Sequence, residues 1–188
     1  MATIQGNLPQ RKVKVFNLFG GPGIGKSTTA AGLFFELKHA MLNAELVHEY
    51  AKGPAWEKRY KVFEAQEYIF GKQCFSQHRL WGEVDYLVTD CPLLLSAVYT
   101  PKDYFGPALI DLVWQAWGAH ENFNIVLQRT KPYVAKGRNQ EEAEAKEIDT
   151  KVVDFLNAKG VPYYALGYDR DTPKKIMDLA IETGFIEP

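Results

Sequence analysis

Residues 12–19 (KVKVFNLF) alternate apolar and polar positions, become mostly apolar and then run into glycines. That pattern predicts a strand entering a tight turn. From 25 to 41 the apolar residues Ala30, Leu33, Phe34, Leu37 and Met41 recur at helical spacing. Residues 45–48 (ELVH) read as a short strand, broken afterwards by Gly53 and Pro54. Residues 63–81 are helical again, through Phe63, Ile69, Phe70, Cys74 and Trp81. Residues 86–89 (YLVT) form an apolar strand ending at Asp90, and 104–117 a helix. A strand at 125–127, a basic loop at 129–140 and an acidic amphipathic helix at 141–159 follow, the helix turning Ile148, Val152, Phe155 and Leu156 inward. A strand at 161–166 and a helix at 173–183, opened by Pro173, close the pattern. Five apolar strands alternating with helices predict an α/β fold, a doubly wound five-stranded parallel sheet with helices on both faces. Residues 1–10 are a polar lead-in, and no repeat or linker divides the rest, so 1–188 reads as one domain.

Composition narrows the class. Apolar residues are 46% and charged residues 24% of the 188, which argues against disorder, collagen, a coiled coil or a repeat array. With 22 basic and 23 acidic residues the net charge is −1, so any nucleic-acid contact would need a local patch rather than an overall field. Two cysteines, Cys74 and Cys91, are too few for a disulfide framework or a zinc site and are expected as small buried hydrophobes. No apolar run approaches the ~20 residues of a membrane span, and the first fifteen residues lack a signal-peptide core. The expected setting is the cytoplasm, away from membranes.

The strongest chemical signal is Gly20-Gly21-Pro22-Gly23-Ile24-Gly25-Lys26-Ser27, followed by Thr28. It fits G-x-x-x-x-G-K-[ST] between a predicted strand and a predicted helix. Glycines permit positive φ, successive amides turn inward on phosphate oxygens, and the helix adds its positive end. Lys26 would reach the β- and γ-phosphates of ATP, and the Ser27 hydroxyl would join a magnesium shell.

Two carboxylates follow predicted strands. Asp90 ends YLVTD and Glu49 follows ELVH, so both are expected beyond the carboxyl ends of a doubly wound sheet, where ligands bind. Asp90 is read as a magnesium ligand and Glu49 as the base that orients or deprotonates a hydroxyl acceptor, with an exchange of roles as the alternative. The loop 129–140 (RTKPYVAKGRNQ) carries four cations and no acid, hinged by Pro132 and Gly137. It suits a lid over a triphosphate, with Arg129 and Arg138 stabilising transferred charge. Segment 52–79 has a net charge of +3 with Trp56 and Tyr60 interleaved, and Gln66, Phe70, Gln73 and Gln77 share one helical face. Trp56, Gln66 and Gln73 are the candidates for holding a flat base. Trp114 and Trp117 are assigned to the core rather than to a dimer interface.

FGGPGIGKSTTAAGLF resembles the first motif of the P-loop NTPases, and within them the kinase branch. The resemblance implies a P-loop kinase-like fold. Asp90 is similar to the aspartate that P-loop ATPases carry after an apolar strand. Glu49 is similar to the glutamate after the second strand of deoxynucleoside kinases, which read their base with a glutamine on the corresponding helix. Loop 129–140 resembles the lid of nucleotide kinases. Taken with HEYAK, TDCPLLLS, RTKPY and GRNQ, the chain resembles small bacteriophage P-loop kinases over roughly residues 13–170. These include kinases of 5-hydroxymethyluracil in phage DNA, which implies a host-cell cytoplasm and a modified DNA base as acceptor. Residues 52–61 and the cluster Arg11, Lys12 and Lys14 would then face DNA. The alternatives are a kinase of a free nucleoside or nucleoside monophosphate, and a nucleotide switch or DNA-associated ATPase that transfers phosphate only to water.

Overall fold

A computed structural model describes residues 12–101, 103–104, 107–130 and 141–187. The strands are β1 (Lys14–Phe19), β2 (Ala44–Val47), β3 (Tyr86–Thr89), β4 (Glu121–Gln128) and β5 (Tyr164–Gly167). They form one sheet in the order β2-β3-β1-β4-β5, and every pairing is parallel. The helices are α1 (Lys26–His39), α2 (Lys52–Trp56), α3 (Gln66–His78), α4 (Leu95–Tyr99), α5 (Ala108–Gly118), α6 (Glu142–Ala158) and α7 (Thr172–Glu182).

All six residues of β1 are buried, as a central strand covered on both faces requires. Phe16 and Leu18 pack with Ala30, Leu33 and Leu37 of α1 and Ile176 and Ala180 of α7. Phe19 points the other way, into a cluster with Phe70 of α3, Leu109 and Val113 of α5, and Val152 and Leu156 of α6. Each cluster withdraws apolar side chains from water at roughly 25 cal/mol per Å², which holds the two helical layers to the sheet. The parallel register aligns the carboxyl ends of the strands. Val47 and Asn17 are both level with Thr89, Phe19 is level with Val126, and Gln128 is level with Gly167. Gly20, Glu49, Asp90, Arg129 and Tyr168 therefore emerge at one rim.

Several boundaries differ from the sequence expectation, each for a local reason. β5 begins at Tyr164 rather than 161 because residues before it end α6. Gly160 adopts φ +63, its N–H bonds to Asn157 C=O, and Val161 N–H bonds back to Leu156 C=O at 2.9 Å. β4 extends back to Glu121, hidden from a hydrophobicity reading by Asn122 and Asn124. Those asparagines face the buried Asn17, whose Nδ2 donates to Asn122 Oδ1 at 2.8 Å and Asn124 Oδ1 at 3.1 Å. The stretch expected as one helix from 63 is a 3-10 turn, Tyr60–Glu64, followed by α3. The short α2 and α4 carry too few residues to show a period. The face of α3 bearing Phe70, Gln73 and Gln77 is turned inward. Cys74 and Cys91 are half-buried rather than enclosed, one flanking the inward face of α3 and the other following Asp90 at the rim. Trp114 and Trp117, 5.6 Å apart and edge to face with each other, are partly buried against the second cluster. Among the described residues no helix is long and apolar enough to cross a membrane.

Candidate active site

The glycine-rich turn leaves β1 and enters α1 through Gly25, whose φ is +112. A side chain at Gly25 would be strained there. It would also meet the ring of Tyr168, because a Cβ would lie 2.4 Å from Tyr168 Cδ2. Among the described residues no side chain caps α1, and its first turn carries no acid. The amides of Lys26, Ser27 and Thr28 are thus left for an external anion. Lys26 Nζ donates to Gly20 C=O at 2.6 Å and Gly21 C=O at 3.0 Å, which braces the turn and holds the ammonium at its mouth. Loss of water lowers the pKa of Lys26, opposed by the nearby charges of Glu49, Asp90 and Asp149.

Asp90 follows β3 and its side chain is fully buried. Its Oδ1 accepts Glu49 N–H at 2.8 Å, and its Oδ2 lies 3.1 Å from Lys52 Nζ. Burial pushes the Asp90 pKa up, but hydrogen bonds from Ser27, Lys52 and the Glu49 amide more than reverse this and hold it below the ordinary value. Glu49 has the opposite balance. Burial raises its pKa, Asp90 adds to the rise, and Lys26 and Lys52 only partly offset it. Two neighbouring carboxyls are thus pushed in opposite directions, Glu49 up and Asp90 down.

The opposite side of the turn is built by β4 and α6. Arg129 Nε donates to Asp149 Oδ2 at 2.9 Å, and Arg129 Nη2 donates to Pro22 C=O at 3.0 Å. Asp149 Oδ1 accepts the Gly21 N–H at 2.6 Å. A Cβ on Gly21 would lie 2.5 Å from Ala145 C=O, so glycine is what lets the turn pack against α6. Arg138 and the rest of 131–140 lie outside the described residues.

Lys26, Ser27, Glu49, Asp90 and Arg129 are thus brought to one rim with the whole turn 20–28. The acceptor candidates are placed differently. Gln73 is buried with its amide engaged by the backbone: Oε1 accepts Tyr50 N–H at 2.9 Å and Nε2 donates to His48 C=O at 3.4 Å. Both bonds flank Glu49, so Gln73 braces that residue instead of presenting an open edge. Gln66 is half-buried and donates to Phe63 C=O at 2.8 Å. Trp56 is 69% exposed.

Sequence reasoning passed over Asp149 and Tyr168, and counted Lys52 only as part of the basic segment 52–79. Asp149 carried a usable signal, being an acid on the inward face of α6 beside Ala145, Val152 and Leu156. Tyr168 directly follows β5 at the same rim, and Lys52 reaches the site by tertiary packing alone. Among the described residues no group of three or more His, Cys, Asp or Glu side chains gathers as a metal cage. Ser27 and Asp90 suit magnesium, which commonly takes one or two protein oxygens and completes its shell with phosphates and water. A groove of about 490 Å³ lined by Lys14, Asn122 and Phe185 opens at the other end of the strands, away from this rim.

Among curated proteins none matches this sequence. Solved structures do share its fold. A NadR protein in complex with NAD and AMP-PNP is 16% identical with a TM-score of 0.68, covering 94% of this chain and 51% of its own. A NadR protein in complex with NR is 18% identical with a TM-score of 0.62, at 92% and 51% coverage. This chain therefore spans about half the length of either. A deoxyadenosine kinase from M. mycoides, with the products dCMP and a flexible dCDP bound, is 17% identical with a TM-score of 0.58, at 92% and 100% coverage. The five-stranded parallel sheet is thus one shared with these P-loop proteins. The family model AAA_28, described as an AAA domain, matches residues 15–171, from β1 to the turn before α7, and the chain belongs to that family.

Proposed function

We propose that this chain is an ATP-dependent phosphotransferase that moves the γ-phosphoryl group to a hydroxyl of a nucleoside-type acceptor. The observation that carries the reading is the pair Glu49 and Asp90, linked by one hydrogen bond at adjacent strand tips, with pKa values displaced in opposite directions. A site that only bound nucleotide would have less use for a carboxyl poised to accept a proton. The kinase fold and the nucleotide-bearing structures that share it support the same reading.

In this mechanism the amides of residues 23–28 hold the triphosphate and Lys26 turns from the loop carbonyls to the β- and γ-oxygens. Ser27 and Asp90 would hold magnesium, which supplies charge neutralisation across the β- and γ-phosphates. Glu49 takes the acceptor proton as the acceptor oxygen bonds to the γ-phosphorus and the bond from that phosphorus to the β–γ bridging oxygen breaks, leaving ADP. Arg129 and Arg138 stabilise charge on the transferred group. Gln73 keeps Glu49 in register through the two amides beside it.

The acceptor divides two readings. NR and dCMP in the related folds favour a small nucleoside or monophosphate. Trp56 and Tyr60, 69% and 53% exposed, leave room for a nucleic-acid strand, the reading in which the acceptor is the hydroxymethyl group of 5-hydroxymethyluracil in DNA. Labelled ATP is offered with free nucleosides, with monophosphates and with hydroxymethyluracil DNA. Label passes to one acceptor class, Lys26→Ala abolishes transfer, and Glu49→Gln lowers kcat by ~100-fold or more with little change in ATP affinity. Release of inorganic phosphate alone with every acceptor would replace this reading by an ATPase or nucleotide switch.

A further inference from the structure

The side chain of Lys52 has no role in the mechanism above, yet it occupies the position most important to it. Lys52 opens α2, three residues after Glu49, and its Nζ hydrogen-bonds both Ser27 Oγ and Asp90 Oδ2, the latter at 3.1 Å. These are the two oxygens that the site offers to a divalent cation. Asp90 is wholly enclosed while the Lys52 side chain is 44% exposed, so the carboxylate is fixed and the ammonium has a way out to solvent. Burying an unpaired carboxylate is costly, and a cation close by removes most of that cost. An ammonium is monovalent, tethered and able to leave, whereas a divalent ion with phosphate ligands satisfies the same oxygens more strongly.

We propose that Lys52 is a built-in, displaceable counter-ion. Its ammonium holds the magnesium position between Ser27 and Asp90 in the nucleotide-free protein and is expelled when metal and triphosphate arrive together. The device holds the Asp90 side chain in place before loading, and it discourages metal from binding without nucleotide. Because Lys52 belongs to α2, its release also frees one anchor of the helix that carries Trp56 at its other end. The inference rests on reading Ser27 and Asp90 as the metal ligands of a nucleotide site.

The test uses Mn²⁺ alone as probe, its free concentration followed by electron paramagnetic resonance in protein without nucleotide. Wild type binds Mn²⁺ weakly. Lys52→Gln binds it about tenfold tighter or more, because a competing positive charge ~3 Å from the carboxylate has gone. Lys52→Arg, which keeps the charge, stays near wild type, and Lys52→Gln with Asp90→Asn loses the gain. Equal Mn²⁺ affinity in wild type and Lys52→Gln overturns the proposal. A second measurement needs no variant. Acylation of lysine amines in the wild type, located by mass spectrometry, increases several-fold at Lys52 when magnesium and AMP-PNP are added, and an unchanged or lower yield there refutes displacement. Neither assay contains an acceptor. A failed phosphoryl-transfer assay beside a tighter Lys52→Gln would therefore condemn the kinase reading and leave the counter-ion standing, and the reverse outcome would do the opposite.

Discussion

Asp149→Ala tests how the phosphate turn is held when no ligand shapes it. The Asp149 carboxylate joins three parts of the chain, accepting from Gly21 N–H with one oxygen and from Arg129 with the other. The side chains of Asp149 and Arg129 are 23% and 12% exposed. Fully buried pairs cost roughly 3–5 kcal/mol when one partner is removed, and surface pairs cost about 0–1. Partial exposure discounts the upper figure, and the orphaned Gly21 amide adds to the lower one. We expect Asp149→Ala to lose about 2–3 kcal/mol in urea unfolding with an unchanged slope, and Tm to fall by roughly 5–10 °C. A double-mutant cycle with Arg129→Met should return about 1–2 kcal/mol of coupling. Nucleotide affinity separates the two partners further. Arg129→Met leaves an uncompensated carboxylate beside the phosphates and should weaken ATP binding more than Asp149→Ala does. Stability within 0.5 kcal/mol of wild type together with zero coupling would refute the reasoning, because the contact would then hold nothing in place.

Three further substitutions probe the turn, α2 and the core. Gly25→Ala combines a φ of +112 with a Cβ 2.4 Å from the Tyr168 ring, so it should cost ~2 kcal/mol or more and abolish ATP binding. Gly53→Ala, with nothing within 4 Å of its Cβ, should be tolerated, and equal thermal melts for the two would show that the tight turn is not required. His120 is 6% exposed, accepts from Trp81 Nε1 at 3.2 Å, and has its pKa pulled down to about 4 by burial, then by Lys12 and His78. A folded value below the unfolded ~6.5 means that the unfolded chain takes the proton first. The stability held by neutral His120 is therefore complete above pH 6.5 and is lost as pH falls toward 4. Between pH 7 and 5 the wild type should lose about 2 kcal/mol more than His120→Gln, and parallel profiles would disprove the assignment.

What could be read from the sequence and what could not follow a physical division. In a parallel sheet every strand delivers its next residue to the same rim. A residue placed just after an apolar run is thereby located in space before any packing is known. Gly20, Glu49, Asp90 and Arg129 are of this kind, and the register of the five strands does bring them together. Lys52, Gln73 and Asp149 arrive from helices, whose rotation and tilt are set by packing and not by local pattern. Gln73 illustrates the consequence: its helical face was legible, but whether that face looked outward or inward was not. Inward, with Phe70, the amide meets the backbone on either side of Glu49 rather than a ligand.

That division also yields a rule for finding supporting residues around such a rim. A polar side chain on an inward helical face is stabilised by a partner inside the fold, because leaving it unpaired costs kilocalories. Where the helix ends near the strand tips, the unpaired groups within reach are the rim's own backbone amides and carbonyls. Asp149 on the face of Ala145, Val152 and Leu156 meets Gly21 N–H in this way. Gln73 beside Phe70 meets Tyr50 N–H and His48 C=O. The same logic explains why neither side chain is available to a ligand. In the proposed mechanism the groups that move are those whose partners can be exchanged: Lys26 on the loop carbonyls, which turns to the phosphates, and Lys52 on Ser27 and Asp90, which gives way to the metal. On that reading the site is a fixed frame of carboxylates and amides, closed by two exchangeable ammonium groups.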